Sequence, residues 1–123
     1  MTKEDKEVLL KDLCARLPYK VKVSTFTYNK ISGEELDSIE TLYSIDSDGY
    51  ITTYECDTSR PISKPYLFSL SSMTEEQKKD MIKSSCGIGS DKNVFDWYNK
   101  NHFDYRGLIP MGLAIDATTL NLY

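Results

Sequence analysis

The sequence predicts an α+β fold: an N-terminal helix, a small antiparallel sheet, open or barrel-like, and two C-terminal helices. Three observations carry this. Apolar residues recur at helical spacing at the start of the chain; β-branched and aromatic residues alternate with polar ones from residue 19 into the fifties; and helix-capping signatures return after residue 73. A length of 123 residues suits one domain, 1–123. With 40% hydrophobic and 28% charged residues, the chain has enough apolar surface to fold, so disorder is not expected.

Thr2 caps the first helix, and Asp5 stands at the reciprocal N3 position. Leu9, Leu13 and Leu17 recur every four residues, and Val8, Leu10 and Cys14 widen the stripe. Pro18 ends the helix, because the residue before a proline is pushed out of the helical region. The run YKVKVSTFTY (19–28) alternates like a strand, and Asn29 and Gly33 mark a turn after it. The segment EELDSIETLY (34–43) is ambiguous between helix and strand. Strands are expected over 38–45 and 50–56, on either side of Asp48-Gly49, a strong hairpin signal.

DTSRPISK (57–64) is a connection that Pro61 and Pro65 keep extended, and 66–68 suits a short edge strand. Thr74, with Gln77 three residues on, opens a second helix over 75–84. Its few apolar positions, Met81 and Ile82, make it a solvated helix. CGIGS (86–90) breaks it. Ser90 caps a third helix, with Asp91 in the first turn, and Val94, Phe95, Trp97 and Tyr98 make this the most aromatic segment. That helix is expected to end near His102, with Gly107 and Pro110 as stops and a short strand at 113–115.

A formal net charge of -4 argues against nucleic acid as partner, since such binders present Lys/Arg surfaces to phosphates. No apolar run has membrane-span length, and the charged N-terminal stretch does not resemble a signal peptide, so a cytoplasmic protein without membrane contact is expected. Cys14, Cys56 and Cys86 are an odd, widely spaced set, read as free thiols.

Four stretches invite a chemical reading. SIDSDGYITTYE (44–55) matches a calcium loop at Asp46, Asp48, Gly49, Ile51 and Glu55, but Ser44 stands at the first ligand position. Pro61 would fall inside the exiting helix, and YITTYEC is strand-like, so an acidic hairpin turn is the better reading. CGIGSDK (86–92) has glycines before a helix but lacks phosphate-loop spacing, and Asp91 would repel an anion there. His102, the only histidine, could activate a thiolate at Cys14, Cys56 or Cys86, or join all three in a zinc site, yet no two cysteines have metal-type spacing, and a packed or helix-end histidine on the face of Phe95 and Tyr98 is favoured. Trp97, Tyr98, Phe103, Tyr105 and Arg106 form an aromatic and arginine cluster of hot-spot composition, for which a place in the core is favoured over an interface; Arg106 beside Asp104 suits an ion pair.

Two segments, KPYLFSLSSMTEEQ (64–77) and FDWYNKNHFDYRGLIPMGLAIDA (95–117), together with KEVLLKDLCARLPYKVKV at the start, resemble a family of small uncharacterised proteins of gut anaerobic bacteria and their phages and prophages. Phe68-Ser69 departs from the Arg-Pro usual there, and 25–63 is the variable part. The resemblance implies a mobile-element setting, a cytoplasmic location and a compact fold with a small β core, but no activity. The expected function is therefore a non-enzymatic accessory protein without cofactor or metal. It would bind a macromolecule or small ligand, with Trp97, Tyr98, His102, Tyr105 and Arg106 as candidate binding residues. The alternatives are a small cysteine-dependent hydrolase and a calcium-binding module at 44–55.

Overall fold

The structure is a computed structural model that describes residues 2–28, 31–33, 35–56, 58–84 and 90–123. The expected turn residue Asn29, the break at 86–89 with Cys86, and the capping side chains of Ser90 and Asp91 lie outside the described residues. The fold is α+β, with an N-terminal helix, a curled antiparallel sheet and two later helices. The chain divides into two compact units, Met1–Tyr66 and Leu67–Tyr123.

In the first unit, α1 (Lys3–Arg16) starts in a complete capping box: Asp5 N–H donates to Thr2 Oγ1 at 3.1 Å and Thr2 N–H to Asp5 Oδ2 at 3.3 Å. Its buried face is Leu9, Asp12, Leu13 and Arg16, the i, i+3, i+4, i+7 set. This differs from the stripe expected from apolar residues alone, and Cys14 is exposed. The reason is an i, i+4 ion pair: Arg16 Nε donates to Asp12 Oδ2 at 2.8 Å, both side chains fully buried. Two opposite charges can enter the interior together where either one alone would be strongly unfavourable. Pro18 lies in a 3-10 turn (Leu17–Tyr19) that closes at Lys20, φ +55°.

Four strands follow, β1 (Lys22–Tyr28), β2 (Glu35–Ile45), β3 (Tyr50–Thr53) and β4 (Arg60–Pro61), neighbours in that order and all antiparallel. The ambiguous segment is strand from residue 35, because it pairs along the whole of β1, from Lys22 opposite Thr41 to Tyr28 opposite Glu35. Between Leu42 and Ser44 the register with β3 shifts by one residue. Tyr43 is the extra residue of this bulge and is exposed. Bulges bend and twist a strand, which suits the curl of the sheet into a half-barrel. Residues 60–65 span its two edges: Arg60 and Pro61 pair with β3, while Ser24 N–H donates to the Lys64 carbonyl at 2.9 Å and Val23 bridges Pro65. The edge of β1 is thereby partly covered.

The second unit takes in β5 (Tyr66–Leu67) at its Leu67 end, α2 (Glu75–Ser84), α3 (Ser90–Lys100) and β6 (Ile115–Asp116). α2 carries the expected cap, with Gln77 N–H on Thr74 Oγ1 and Thr74 N–H on Gln77 Oε1 at 2.8 Å, and buries no residue. Trp97 Nε1 of α3 donates to Asp80 Oδ2 of α2 at 2.8 Å. α3 ends before His102. His102 N–H bonds the Asn99 carbonyl and Phe103 N–H bonds the Tyr98 carbonyl, the paired bonds of a Schellman stop. His102 occupies its left-handed position, φ +63°, so it is a helix terminator rather than a member of the helical face. Phe103 then stacks back on Trp97, ring centroids 5.5 Å apart and planes within 11°. Phe68 runs beside Phe103, its amide on the His102 carbonyl and its carbonyl on the Asp104 amide, both 2.8 Å. Leu67, Phe103, Leu108, Leu113, Ala114 and Ala117 are buried.

Candidate binding surface

Each strand of the first sheet contributes one side chain to a single polar cluster: Thr25 from β1, Glu40 from β2, Thr53 from β3 and Arg60 from β4. Register places them there. Thr25 lies two residues from Val23, Glu40 two from Leu42, and Thr53 two from Ile51, so ionic and apolar side chains share one inner face. Arg60 Nη1 and Nη2 grip the two Glu40 oxygens at 2.8 and 2.7 Å, Thr53 Oγ1 donates to Glu40 Oε1 at 2.7 Å, and Thr25 Oγ1 donates to Oε2. The Arg60 hydrogen bonds above all hold the Glu40 carboxyl far below its ordinary value, at about 2, and the threonine hydroxyls act in the same direction against burial. Such a carboxylate is a poor proton acceptor near neutral pH, so the cluster organises the sheet and is ill suited to acid–base work. The same pair raises the Arg60 guanidinium above its ordinary value.

The 44–55 stretch is a hairpin between β2 and β3. Asp46 N–H bonds the Tyr50 carbonyl at 2.9 Å and Gly49 N–H bonds the Asp46 carbonyl at 3.1 Å. Gly49 takes φ +84°, the left-handed residue of a three-residue hairpin loop. Asp46 Oδ1 accepts the amides of Asp48 and Tyr50, both at 2.9 Å, and Glu55 Oε2 accepts the Thr41 amide at 2.8 Å. Two of the three carboxylates a calcium loop would aim at one ion, those of Asp46 and Glu55, thus serve the backbone at separate places. Among the described residues no three His, Cys, Asp or Glu side chains form a metal-sized group.

Cys14 and Cys56 belong to the first unit and His102 to the second. Cys56 is half-buried, its amide on Thr53 Oγ1 at 3.2 Å and its carbonyl accepting the Thr53 amide at 3.1 Å.

The five residues singled out by sequence divide. Trp97 and His102 are interior, the imidazole stacked on Tyr123 with centroids 3.8 Å apart. Tyr98, Tyr105 and Arg106 reach the surface beside a residue not in that set, Phe95, which is 49% exposed. Tyr105 is the hub: its ring lies 5.2 Å from Phe95 and 5.5 Å from Tyr98, the latter stacked within 21°. Arg106 lies over the Tyr105 ring at 4.9 Å and donates to its hydroxyl at 2.9 Å. Asp104, expected as an ion partner of Arg106, is buried and accepts the Leu108 and Ile109 amides at 2.8 and 2.9 Å. It fixes the turn at Gly107, φ +77°, that follows Tyr105 and Arg106.

Among the described residues no helix is long and apolar enough to cross a membrane. No family model, no curated protein and no solved structure matches the chain.

Proposed function

We propose that this chain is a non-enzymatic binding protein that docks a protein partner through Phe95, Tyr98, Tyr105 and Arg106. The observation that carries this reading is the surface stack of three aromatic rings capped by a guanidinium. Rigid aromatic side chains and arginine are the residue types that dominate binding hot spots, because they bury much area at small entropic cost. The exposed ring of Phe95 sets the chemistry of the partner: an apolar anchor packed against the stack. The resemblance of the outer segments to phage and prophage proteins supports an accessory role in a mobile element, within the cytoplasm.

The test is capture by the tagged protein from cells carrying the element, followed by reconstitution with the purified partner. Phe95→Ala and Arg106→Ala are each expected to weaken that reconstituted complex about tenfold or more, with the fold retained by far-UV circular dichroism. A partner held equally well by both variants would overturn the assignment of the surface. A reproducible turnover abolished by Cys56→Ala or His102→Ala would replace it with the hydrolase reading.

A further inference from the structure

We infer that the first unit carries a separate small-ligand site, a cleft of about 510 Å3 lined by α1, the hairpin tip and residues 61–62. Its volume falls in the range of about 300–1,000 Å3 typical of ligand pockets. Lys3, Lys6, Glu7 and Leu10 line it from one face of α1, at i, i+3, i+4, i+7, next to the buried face. Asp48 and Tyr50 come from the hairpin tip, Pro61 and Ile62 from the segment that spans the sheet edges.

The chemistry of this lining is mixed in a specific way. Leu10, Tyr50, Pro61 and Ile62 supply an apolar surface, two lysines supply positive charge, and Glu7 and Asp48 supply negative charge. The charges balance, so a simple anion or cation would meet repulsion as well as attraction. A ligand carrying both charges on an apolar body complements all three features. The site is therefore assigned to a zwitterionic, apolar amino acid, free or as a short peptide. Its carboxylate faces Lys3 and Lys6, its ammonium faces Asp48, and its side chain lies against Tyr50 and Ile62. The tip is held in place before any ligand arrives, since Asp46 ties three of its residues together through the bonds to Asp48, Gly49 and Tyr50. Pre-organisation of this kind lowers the entropic cost of binding.

The test uses the full chain, titrated with L-leucine, L-phenylalanine, the dipeptide Leu-Leu and the doubly capped N-acetyl-leucine amide. The amide resonances of Gly49 and Tyr50 report the tip, and calorimetry reports affinity. The zwitterions are expected to shift both resonances, and the capped compound is not. A response to the free amino acids or to the dipeptide alone tells which form is recognised. The double variant Lys3→Gln/Lys6→Gln and the variant Asp48→Asn are each expected to weaken binding about tenfold while the hairpin resonances of the unliganded protein stay in place. Absence of any shift at about 10 mM ligand, equal binding of the capped compound, or indifference to all three substitutions would overturn the assignment. None of these residues belongs to the aromatic surface of the second unit, so either site can fail without the other.

Discussion

In the first unit the inner face of one sheet passes from apolar to polar within two residues along each of its first three strands. Val23, Leu42 and Ile51 are fully buried, and beside them Glu40 and Arg60 are paired across the sheet. The second unit has a different interior. Phe68, Trp97 and Phe103 touch ring to ring, and its buried carboxylate, Asp104, is engaged by two backbone amides instead of a cation. The contrast follows from architecture. A curled sheet aligns side chains from distant strands in register, so four residues far apart in sequence can satisfy one another. In the second unit no such ladder of side chains forms around a carboxylate: Phe68 and Trp97 meet on Phe103, and aromatic area and backbone capping provide the stabilisation.

Arg60→Ala is the most damaging substitution. It leaves the buried Glu40 without its cation and is expected to destabilise the protein by about 3–5 kcal/mol, measured by urea unfolding with far-UV circular dichroism. The double variant Glu40→Leu/Arg60→Met should recover much of this, since apolar replacement of a whole buried pair is often neutral. A loss under about 1 kcal/mol for Arg60→Ala would place the pair among ordinary surface ion pairs.

Acid gives the next largest effect. The folded carboxyl of Glu40 sits at about 2 against 4.5 ordinarily. A depressed folded value means that the stabilisation is complete above about 4.5 and disappears as pH falls towards 2, amounting to on the order of 3 kcal/mol. Unfolding free energy measured from pH 6 down to pH 2 should fall over that window, and the Glu40→Gln variant should show a flatter profile. An identical slope in both proteins would remove Glu40 as the source.

In the second unit, Asp104→Ala leaves the Leu108 and Ile109 amides without their acceptor and should cost about 2 kcal/mol. Trp97 is the only tryptophan and stacks on Phe103, so its fluorescence reports the loss where it occurs. The smallest effect separates two substitutions at one place. His102 holds φ +63°, and His102→Gly should be more stable than His102→Ala by about 1 kcal/mol, because a Cβ is disfavoured in the left-handed region. Equal stability would mean that the helix stop does not depend on that backbone angle.

Much of this fold is legible from local chemistry. Thr2 with Asp5 and Thr74 with Gln77 form the caps their spacing predicts, and Asp48-Gly49 sits in the hairpin loop it predicts. The binding candidates were legible as a cluster but not as a surface. Trp97 and Tyr98 are adjacent in sequence, yet the first is turned inside and the second reaches solvent. Phe95 lies outside the set that composition singles out, although its contact with Tyr105 makes it the exposed end of a partly buried stack.

By itself the sequence determined the helices, the caps of the first two, the hairpin and the α+β class, because local steric preference and backbone hydrogen bonding act directly on residues within a few positions of one another. Only the tertiary structure decided which charges lie inside. Glu40 and Asp12 are of a residue type that ordinarily faces water, and it is a strand register and a helix face that bring Arg60 and Arg16 against them. The physical reason is that burying a charge is unfavourable or tolerable according to its partner. For Glu40 that partner lies twenty positions along the chain and is supplied by the pairing of strands, which no local pattern encodes.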